Sequence, residues 1–281
     1  MKNILVPTDF TPASISALKL AIHIAKRNPK VSIRMSHVYK VPRLPSLPSD
    51  DYGYDVRKQK KMLTEIHDNF SEIARMDMMK GIKIETQVIP HKKVYDILNH
   101  KDNRSVDLII CGVHGNKDWH RTIEGTHMET IIRNAECPVI CVHEKIKGPL
   151  RFNDVVFASD FSSESYKAFP KLKKLFDILG CRLHLVKIVT PQHFENTIQV
   201  EKEMKEFAEK EFLTNYTIKV FNDENVELGI HRYAYSINAN LIAMETHGHT
   251  GFIHYLKGSI LESVAHHSEL PVMSMKMEER N

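Results

Sequence analysis

The chain has 281 residues, of which 42% are hydrophobic and 26% are charged, and its formal net charge is +4. This length accommodates two ordinary domains, and the composition is typical of a soluble globular protein rather than a disordered chain. No apolar stretch approaches the roughly 20 residues of a membrane span, no signal segment precedes the first predicted strand, and charges of both signs are interspersed. We therefore expect a cytoplasmic protein that binds neither a membrane nor nucleic acid.

The first half of the chain alternates predicted strands with predicted helices. Its first helix carries Ile15, Leu18 and Ile22 on one face, at helical spacing. The predicted strands are 3–7, 31–38, 83–89, 107–111 and 138–143, and the predicted helices are 12–27, 56–80, 93–103 and 126–135. This alternation predicts a parallel α/β sheet that binds its ligand beyond the carboxyl ends of the strands.

The second half repeats the same order after a linker at 145–151, so we predict domains at 1–144 and 152–281. Its predicted strands are 154–158, 182–189, 217–221, 241–244 and 272–275, and its predicted helices are 166–179, 200–212, 226–237 and 259–267. The excess length of the first half lies mostly between residues 39 and 55. This segment is rich in proline and is interpreted either as a lid over a ligand or as a surface insertion without function.

A glycine motif occurs once in each half with matching spacing. Nine residues separate Gly115 from Gly125, and nine separate Gly248 from Gly258. Thr126 or Ser259 follows at the predicted start of a helix, where free N–H groups and a hydroxyl can bind a phosphate group. The same residues are also compatible with a purely structural role, because glycines at strand ends turn the chain.

The first strand of each half ends in Asp-Phe, at Asp9-Phe10 and at Asp160-Phe161, and a helix start with hydroxyl side chains follows. Together with Val6-Pro7-Thr8, His37-Val38 and the glycine motif from Gly112 to Thr126, these residues make the chain resemble the tandem form of the universal stress protein family. The resemblance implies two Rossmann-like domains similar to adenine nucleotide alpha hydrolases, each a five-stranded parallel sheet with helices on both faces. It also implies ATP, with or without Mg²⁺, as the ligand of nucleotide-binding members.

The resemblance assigns the nucleotide-binding roles residue by residue. In the first half, Asp9 and the backbone of Val38 are expected at the base or ribose, in a pocket shaped by Pro7 and Thr8. The phosphate loop is expected to contain Gly112, His114, Gly115, Gly125 and Thr126. The matching positions in the second half are Asp160, Ile188, Gly248, Gly258 and Ser259.

Two departures weaken the second site. Glu245 replaces the first glycine of the motif, and Ala158-Ser159 replaces Pro7-Thr8. A carboxylate repels a triphosphate, and any side chain at that position reduces the space for its close approach. We therefore expect ATP in the first domain rather than in the second.

Neither a metal site nor an enzymatic activity is predicted. The histidines near the two glycine loops, including His114, His120 and His247, match no zinc-ligand spacing, and a zinc or pH-sensing role is the less favoured interpretation. Trp119 and Arg121 lie inside the first loop, where they can contact a nucleotide or pack elsewhere. No nucleophile elbow, Walker lysine or acidic metal pair is present, so any ATP hydrolysis is expected to be slow and incidental.

Within the family, the last strands of two domains commonly pair with each other. This predicts that residues 139–142 pair with residues 272–275 inside this chain. A homo-oligomer is also expected. Two functions remain open. In the first, ATP in domain 1 is a regulatory switch in a stress response. In the second, the protein is a nucleotide-free module that binds a protein or a small ligand. A relation to electron-transfer flavoproteins is less favoured, because the doubled glycine spacing has no flavin-specific companion feature.

Overall fold

A computed structural model describes residues 1–39, 41, 56–90, 96–103, 105–113, 127–144, 152–163, 165–246 and 260–276. In the first half, the elements in chain order are β1 (Asn3–Pro7), α1 (Pro12–Arg27), β2 (Ser32–Tyr39), α2 (Val56–Ala74), β3 (Ile84–Pro90), α3 (Asp96–Asn99), β4 (Leu108–Val113), α4 (His127–Asn134) and β5 (Val139–His143). Short 3₁₀ turns follow α2 and α3, at Asp77–Met79 and Lys101–Asn103.

In the second half, the elements are β6 (Asp154–Ala158), α5 (Ser165–Leu179), β7 (Arg182–Val189), α6 (Thr197–Lys210), β8 (Tyr216–Asn222), α7 (Val226–Ser236), β9 (Leu241–Thr246), α8 (Ile260–His267) and β10 (Val272–Lys276). Asn196 and Asn225 cap α6 and α7, because each side-chain oxygen accepts backbone N–H groups of the first turn. The cap at Asn196 explains why α6 begins three residues before the predicted start at 200.

Two predicted helices of the first half are wrong in extent. The helix predicted over 56–80 ends at Ala74, and the chain then turns through Gly81, whose φ of +77° favours glycine. The helix predicted over 93–103 is helical only at Asp96–Asn99 among its described residues. There the buried Asn103 side chain donates a hydrogen bond of 2.6 Å to the carbonyl of Ile97, which favours a tight turn over a continued helix.

All ten strands lie in one sheet of order β3-β2-β1-β4-β5-β10-β9-β6-β7-β8. Neighbouring strands within each half are parallel, and helices cover the sheet, so the predicted α/β fold class is confirmed. Between the halves, β5 and β10 pair antiparallel, with Met273 opposite Ile140. One apolar core includes Ile140, Val142, Met273 and Met275 and is therefore continuous across this junction.

The sheet topology determines where the candidate site residues lie. Strands β2, β1 and β4 are neighbours in the first half, and β7, β6 and β9 are neighbours in the second. Because these strands are parallel, their carboxyl ends lie along one edge of each half. We call these edges the first rim, formed around Thr8, Asp9 and Gly112, and the second rim, formed around Ser159, Asp160 and Glu245.

Candidate functional site

Thr8 is the buried centre of the first rim. Its backbone N–H donates to the carbonyl of Ser36 at 2.9 Å, which ties the end of β1 to β2. Its hydroxyl donates to Ser14 Oγ at 3.1 Å and accepts from the backbone N–H of Phe10, also at 3.1 Å. Ser14 Oγ in turn donates to the carbonyl of Thr11 at 2.9 Å. These bonds fix the turn between β1 and α1, and Pro7 immediately precedes them as the last residue of β1.

Asp9 is exposed directly beside this anchor. One carboxylate oxygen, Oδ1, accepts hydrogen bonds from the backbone N–H and from the hydroxyl of Thr11, at 3.1 and 2.5 Å. Phe10 then adopts a φ of +65°, which is uncommon for an aromatic residue, and Phe161 repeats it at +57°. The same backbone geometry therefore presents Asp9 in the first rim and Asp160 in the second.

His37 belongs to the first rim but was not predicted as a site residue. Its Nδ1 lies 2.7 Å from the carbonyl oxygen of Thr8, which makes Nδ1 the protonated donor. Its ring stacks on Phe10, with 4.7 Å between the ring centroids. The neighbouring Val38, predicted to offer its backbone to a ligand, is half-buried and pairs with Ile89 of β3. The alternation of side chains along β2 was the available signal, since it places His37 and Val38 on opposite faces.

Gly112 lies against the start of α1. A Cβ atom at this position would lie 2.4 Å from the carbonyl carbon of Ala13 and 2.6 Å from the backbone nitrogen of Ser14. Since backbone atoms cannot yield as a flexible side chain can, this contact alone requires glycine. The structure thus brings Gly112 together with Thr8 through their shared neighbour Ser14, and it gives Gly112 a packing role that exists without any ligand.

Several predicted residues lie outside the described part of the chain. They are His114, Gly115, Gly125, Thr126, Gly248, Gly258 and Ser259, together with Trp119, Arg121, the proposed lid between 42 and 55, and the linker at 145–151. The predicted phosphate loops therefore stay predictions. Their flanking elements are described, since β4 ends at Val113 and α4 begins at His127.

The second rim repeats the hydroxyl contacts of the first. Ser159 Oγ accepts from the backbone N–H of Phe161 at 3.0 Å and lies 2.9 Å from Ser165 Oγ. Asp160 Oδ1 accepts from the backbone N–H of Ser162 at 2.9 Å and from the hydroxyl of Ser165 at 3.2 Å. The replacement of Thr8 by Ser159 therefore keeps the local architecture, although Asp160 is bonded to the helix serine where Asp9 is bonded to Thr11.

Glu245 is where the two rims differ most. Its Oε2 lies 2.9 Å from Ser159 Oγ, whereas its Oε1 is buried and has no hydrogen-bond partner within the described residues. Burial raises the pKa of Glu245 to about 8, hydrogen bonds from Ser165 and Ser159 partly oppose this, and the nearby Asp160 carboxylate adds to the increase. The carboxyl that was expected only to repel a phosphate group is thus bonded into the rim.

Lys187 occupies the position in β7 that matches His37 in β2. It is buried, and its Nζ lies 2.6 Å from Glu195 Oε2, a residue of the connection between β7 and α6. The adjacent Ile188, predicted as a ligand contact, packs against α7, because a Cβ on Gly229 would lie 2.6 Å from Ile188 Cγ2. Both side chains at the end of β7 are therefore engaged by the protein itself.

The cysteines and histidines of the described residues do not form a metal cluster: no group of three or more His, Cys, Asp or Glu side chains there is arranged to hold a metal ion. All four cysteines are free thiols. Cys111 and Cys141 are buried side by side with 3.6 Å between their sulfur atoms, a neighbourhood set by the register of β4 and β5 that was not predicted. Burial raises the pKa of Cys137 and of Cys181 to about 12.

Across the described helices, none is both long and apolar enough to cross a membrane.

Comparison with known proteins places this geometry in one family. The family model described as "Universal stress protein family" matches residues 1–143 and again 151–276. A universal stress protein of Methanocaldococcus jannaschii is 28% identical over 146 residues, which are 52% of this chain and 84% of that protein. A putative universal stress protein of Staphylococcus saprophyticus is 25% identical over 58% of this chain and 95% of its own length.

Solved structures extend the match to the whole chain. A universal stress protein from Archaeoglobus fulgidus superposes with a TM-score of 0.74 and 21% identity, over 98% of this chain and 96% of its own. A putative universal stress protein from Pseudomonas aeruginosa gives a TM-score of 0.62 and 16% identity, over 99% and 94% of the two chains. These structures share the fold. Since the family model accounts for both halves, the chain belongs to the universal stress protein family and carries two of its domains.

Proposed function

We propose that this protein binds an adenine nucleotide, ATP, at the first rim and that occupancy of this site acts as a regulatory switch in a stress response. The observation that carries the proposal is the exposed Asp9 carboxylate, which a fixed turn presents at the edge of the sheet next to Gly112. Parallel α/β sheets bind ligands at such edges. The predicted phosphate loop starts at Gly112 near the end of β4, and its remaining residues, His114 to Thr126, follow that strand in the sequence.

Asp9 is suited to accept hydrogen bonds from a ribose or from the adenine amino group. The Thr11 N–H and hydroxyl hold its Oδ1, so that the carboxylate is oriented before a ligand arrives. This pre-orientation reduces the ordering cost of binding. Beneath it, the hydrogen bonds of Thr8 and the stacking of His37 on Phe10 make the floor of the site rigid.

We assign no nucleotide to the second rim. Glu245 fills the position at which the first rim has glycine, and it would place a carboxyl group beside the phosphates. Ile188 and Lys187 are packed against Gly229 and Glu195. The proposed protein therefore has one working site and one degenerate site, in domains at 1–144 and 152–281 joined by 145–151. We further propose that the two domains pair through β5 and β10 and that the protein is cytoplasmic. We also propose that it is not an enzyme, apart from a slow and incidental ATPase activity.

A nucleotide-free interaction module is the second candidate. It is favoured by two exposed apolar side chains that are four residues apart in the sequence: Phe194, in the connection before α6, and Ile198, in its first turn, are 85% and 80% exposed. Large apolar side chains that lie close together on a surface often mark a contact with another protein. In this alternative, the rims are structural and the exposed pair binds a partner.

The two functions are distinguished by the contents of the purified protein. The untagged protein would be denatured, any released small molecule identified by mass spectrometry, and ATP with Mg²⁺ titrated by calorimetry. We expect one ATP per chain. Asp9→Asn should weaken binding by about tenfold or more, as expected for loss of a charged hydrogen bond. The matched change Asp160→Asn in the second rim should leave the affinity within twofold.

The phosphate loop is tested in the same titration. Gly125→Val combined with Thr126→Ala should abolish binding, whereas the matched pair Gly258→Val and Ser259→Ala should not change it. If no nucleotide is released and no heat is measured, the proposed switch is wrong and the interaction module is the better account. Equal binding by the Asp9→Asn variant would refute the assignment of the base or ribose to Asp9.

A further inference from the structure

Four oxygen-bearing side chains form a continuous chain through the second rim, which we call the carboxyl relay: Glu245, Ser159, Ser165 and Asp160. The separations are 2.9 Å from Glu245 Oε2 to Ser159 Oγ, 2.9 Å from Ser159 Oγ to Ser165 Oγ, and 3.2 Å from Ser165 Oγ to Asp160 Oδ1. Each separation is a hydrogen-bond distance, and each bond needs one proton. The relay thus joins a buried carboxyl to an exposed one.

The serines cannot supply all the protons that the relay needs. Each hydroxyl carries one hydrogen, so two protons are available for three oxygen-to-oxygen contacts. The backbone N–H of Phe161 already occupies one acceptor position of Ser159. If both carboxyls are ionised, Ser159 donates to Glu245 and Ser165 donates to Asp160. The contact between the two serine oxygens then has no proton. A third proton, carried by a carboxyl, completes the relay.

Glu245 is the carboxyl that carries this proton. The residue is half-buried, but its Oε1 atom is fully buried and has no partner among the described residues, which is a costly arrangement for a charged carboxylate. Asp160, in contrast, is exposed, and its Oδ1 accepts the backbone N–H of Ser162, three residues before α5. In the complete relay Glu245 donates to Ser159, Ser159 donates to Ser165, and Ser165 donates to Asp160.

We propose that Glu245 is protonated at neutral pH and is joined to Asp160 by the two serine hydroxyls, which makes the second rim a pH-sensitive element. Loss of the proton under alkaline conditions changes the charge of the pair from −1 to −2 and breaks one bond of the relay. This inference goes beyond the proposed nucleotide switch and does not depend on it.

The charged groups around Glu245 act in the same direction. Among the described residues, two carboxylates raise the pKa of Glu245 in addition to burial. They are Asp160, which follows β6, and Glu211, which follows α6. The neighbouring positions on α5 and β10 are the uncharged Ser165 and Met275. Burial also raises the pKa of Glu211, which nearby Lys210 and Lys173 counteract. None of the charged groups that shift the pKa of Glu245 most strongly is a cation.

The first rim provides an internal comparison without such a relay. There Thr8 donates to Ser14, and Ser14 donates to the carbonyl of Thr11, so every contact has its proton. Gly112 stands at the position of Glu245 and brings no carboxyl. The proton requirement is therefore specific to the second half and arises from the one side chain that departs from the glycine motif.

The experiment is a carboxyl titration of the full-length protein labelled with ¹³C at the glutamate carboxyl carbons. We expect one resonance to titrate with a midpoint near 8, as the pKa of Glu245 requires, and to be missing in Glu245→Gln. Asp160→Asn removes the charge at the far end of the relay, which contributes to the raised pKa of Glu245, and should lower the midpoint. Glu211→Gln, which removes a charge but no link, should lower it by less.

Two results would overturn the proposal. If every glutamate finishes its titration below pH 6, then Glu245 carries no proton at neutral pH. If Asp160→Asn leaves the high midpoint in place, burial alone holds the proton and the relay does not exist. Glu245→Gln and Asp160→Asn are close in size to the parent residues. Near-ultraviolet circular dichroism can verify that each variant keeps the native fold before it is titrated.

Discussion

Replacing Gly112 by alanine tests whether this glycine is required by packing before any ligand is considered. The added Cβ would lie 2.4 Å from the carbonyl carbon of Ala13 and 2.6 Å from its oxygen. Both atoms belong to the backbone of the first turn of α1, so β4 or α1 must move. Overpacking of this kind typically costs about 1–3 kcal/mol. Since a rigid backbone is the obstacle, we expect a loss of about 3 kcal/mol in the free energy of unfolding.

Gly229→Ala is the matched control. Its Cβ would also lie close to a neighbour, 2.6 Å from Ile188 Cγ2, but that atom is a side-chain methyl group of a half-buried residue and not part of the backbone. Gly229 lies inside α7, where alanine is favoured over glycine by about 1 kcal/mol, and this gain offsets the repacking of Ile188. We expect a net change within about 1 kcal/mol.

Urea denaturation of both variants, followed by far-ultraviolet circular dichroism, measures the difference. The transition is suitable only if its slope stays that of the parent, because a changed slope indicates that the two-state model fails. A Gly112→Ala variant as stable as the parent would refute the packing argument, and the glycine would then need a ligand-based explanation. ATP titration of the same variant shows whether the packing change also disturbs binding.

Two further predictions concern charged groups of the second half. Glu195→Ala should destabilise the protein by about 1–3 kcal/mol, because it leaves the buried Lys187 ammonium without the carboxylate at 2.6 Å. Lys187→Met removes the buried charge itself and should be tolerated within about 1 kcal/mol. Thermal denaturation of both variants compares the two losses, and equal losses would contradict the prediction. The pH dependence of stability should reveal Glu245, whose pKa rises from 4.5 to about 8 in the folded state. The folded protein then binds this proton more tightly than the unfolded chain, so stability falls as the pH rises from about 4.5 to about 8, by at most about 5 kcal/mol. Glu245→Gln should flatten that part of the profile, and an unchanged profile would show that another group causes it.

The fold was predictable because its evidence is local and repeated. Strands alternate with helices in both halves, and nearly every predicted strand lies within two residues of its observed bounds, as β6 at Asp154–Ala158 illustrates. The extents of α2 and α3 were not predictable, since apolar periodicity continues past Ala74 and the bond from Asn103 to Ile97 depends on a folded turn. Helix ends are set by such individual contacts, which composition does not reveal.

The candidate site was predictable only where one segment of the chain contains it. Asp9 and its turn follow from the repeated Asp-Phe pattern at the end of a strand. The stacking of His37 on Phe10 and the pairing of Cys111 with Cys141 join residues about 30 positions apart, and strand register decides both. Lys187 and Glu195 are closer in sequence, yet nothing in the sequence shows that the lysine is buried.

The largest difference between the two rims is the residue at the position of Gly112 and Glu245. Glycine at position 112 lets the backbone of β4 touch α1, and the first rim then satisfies its own hydrogen bonds with hydroxyl groups and a carbonyl. A carboxyl at position 245 instead lies 2.9 Å from Ser159 Oγ, and in the proposed relay it holds a proton. Under the two proposals, this chain would have one rim that binds a nucleotide and one that responds to pH. If Glu245→Gly were to give the second rim ATP affinity and remove its titration together, both differences would be traced to this single position.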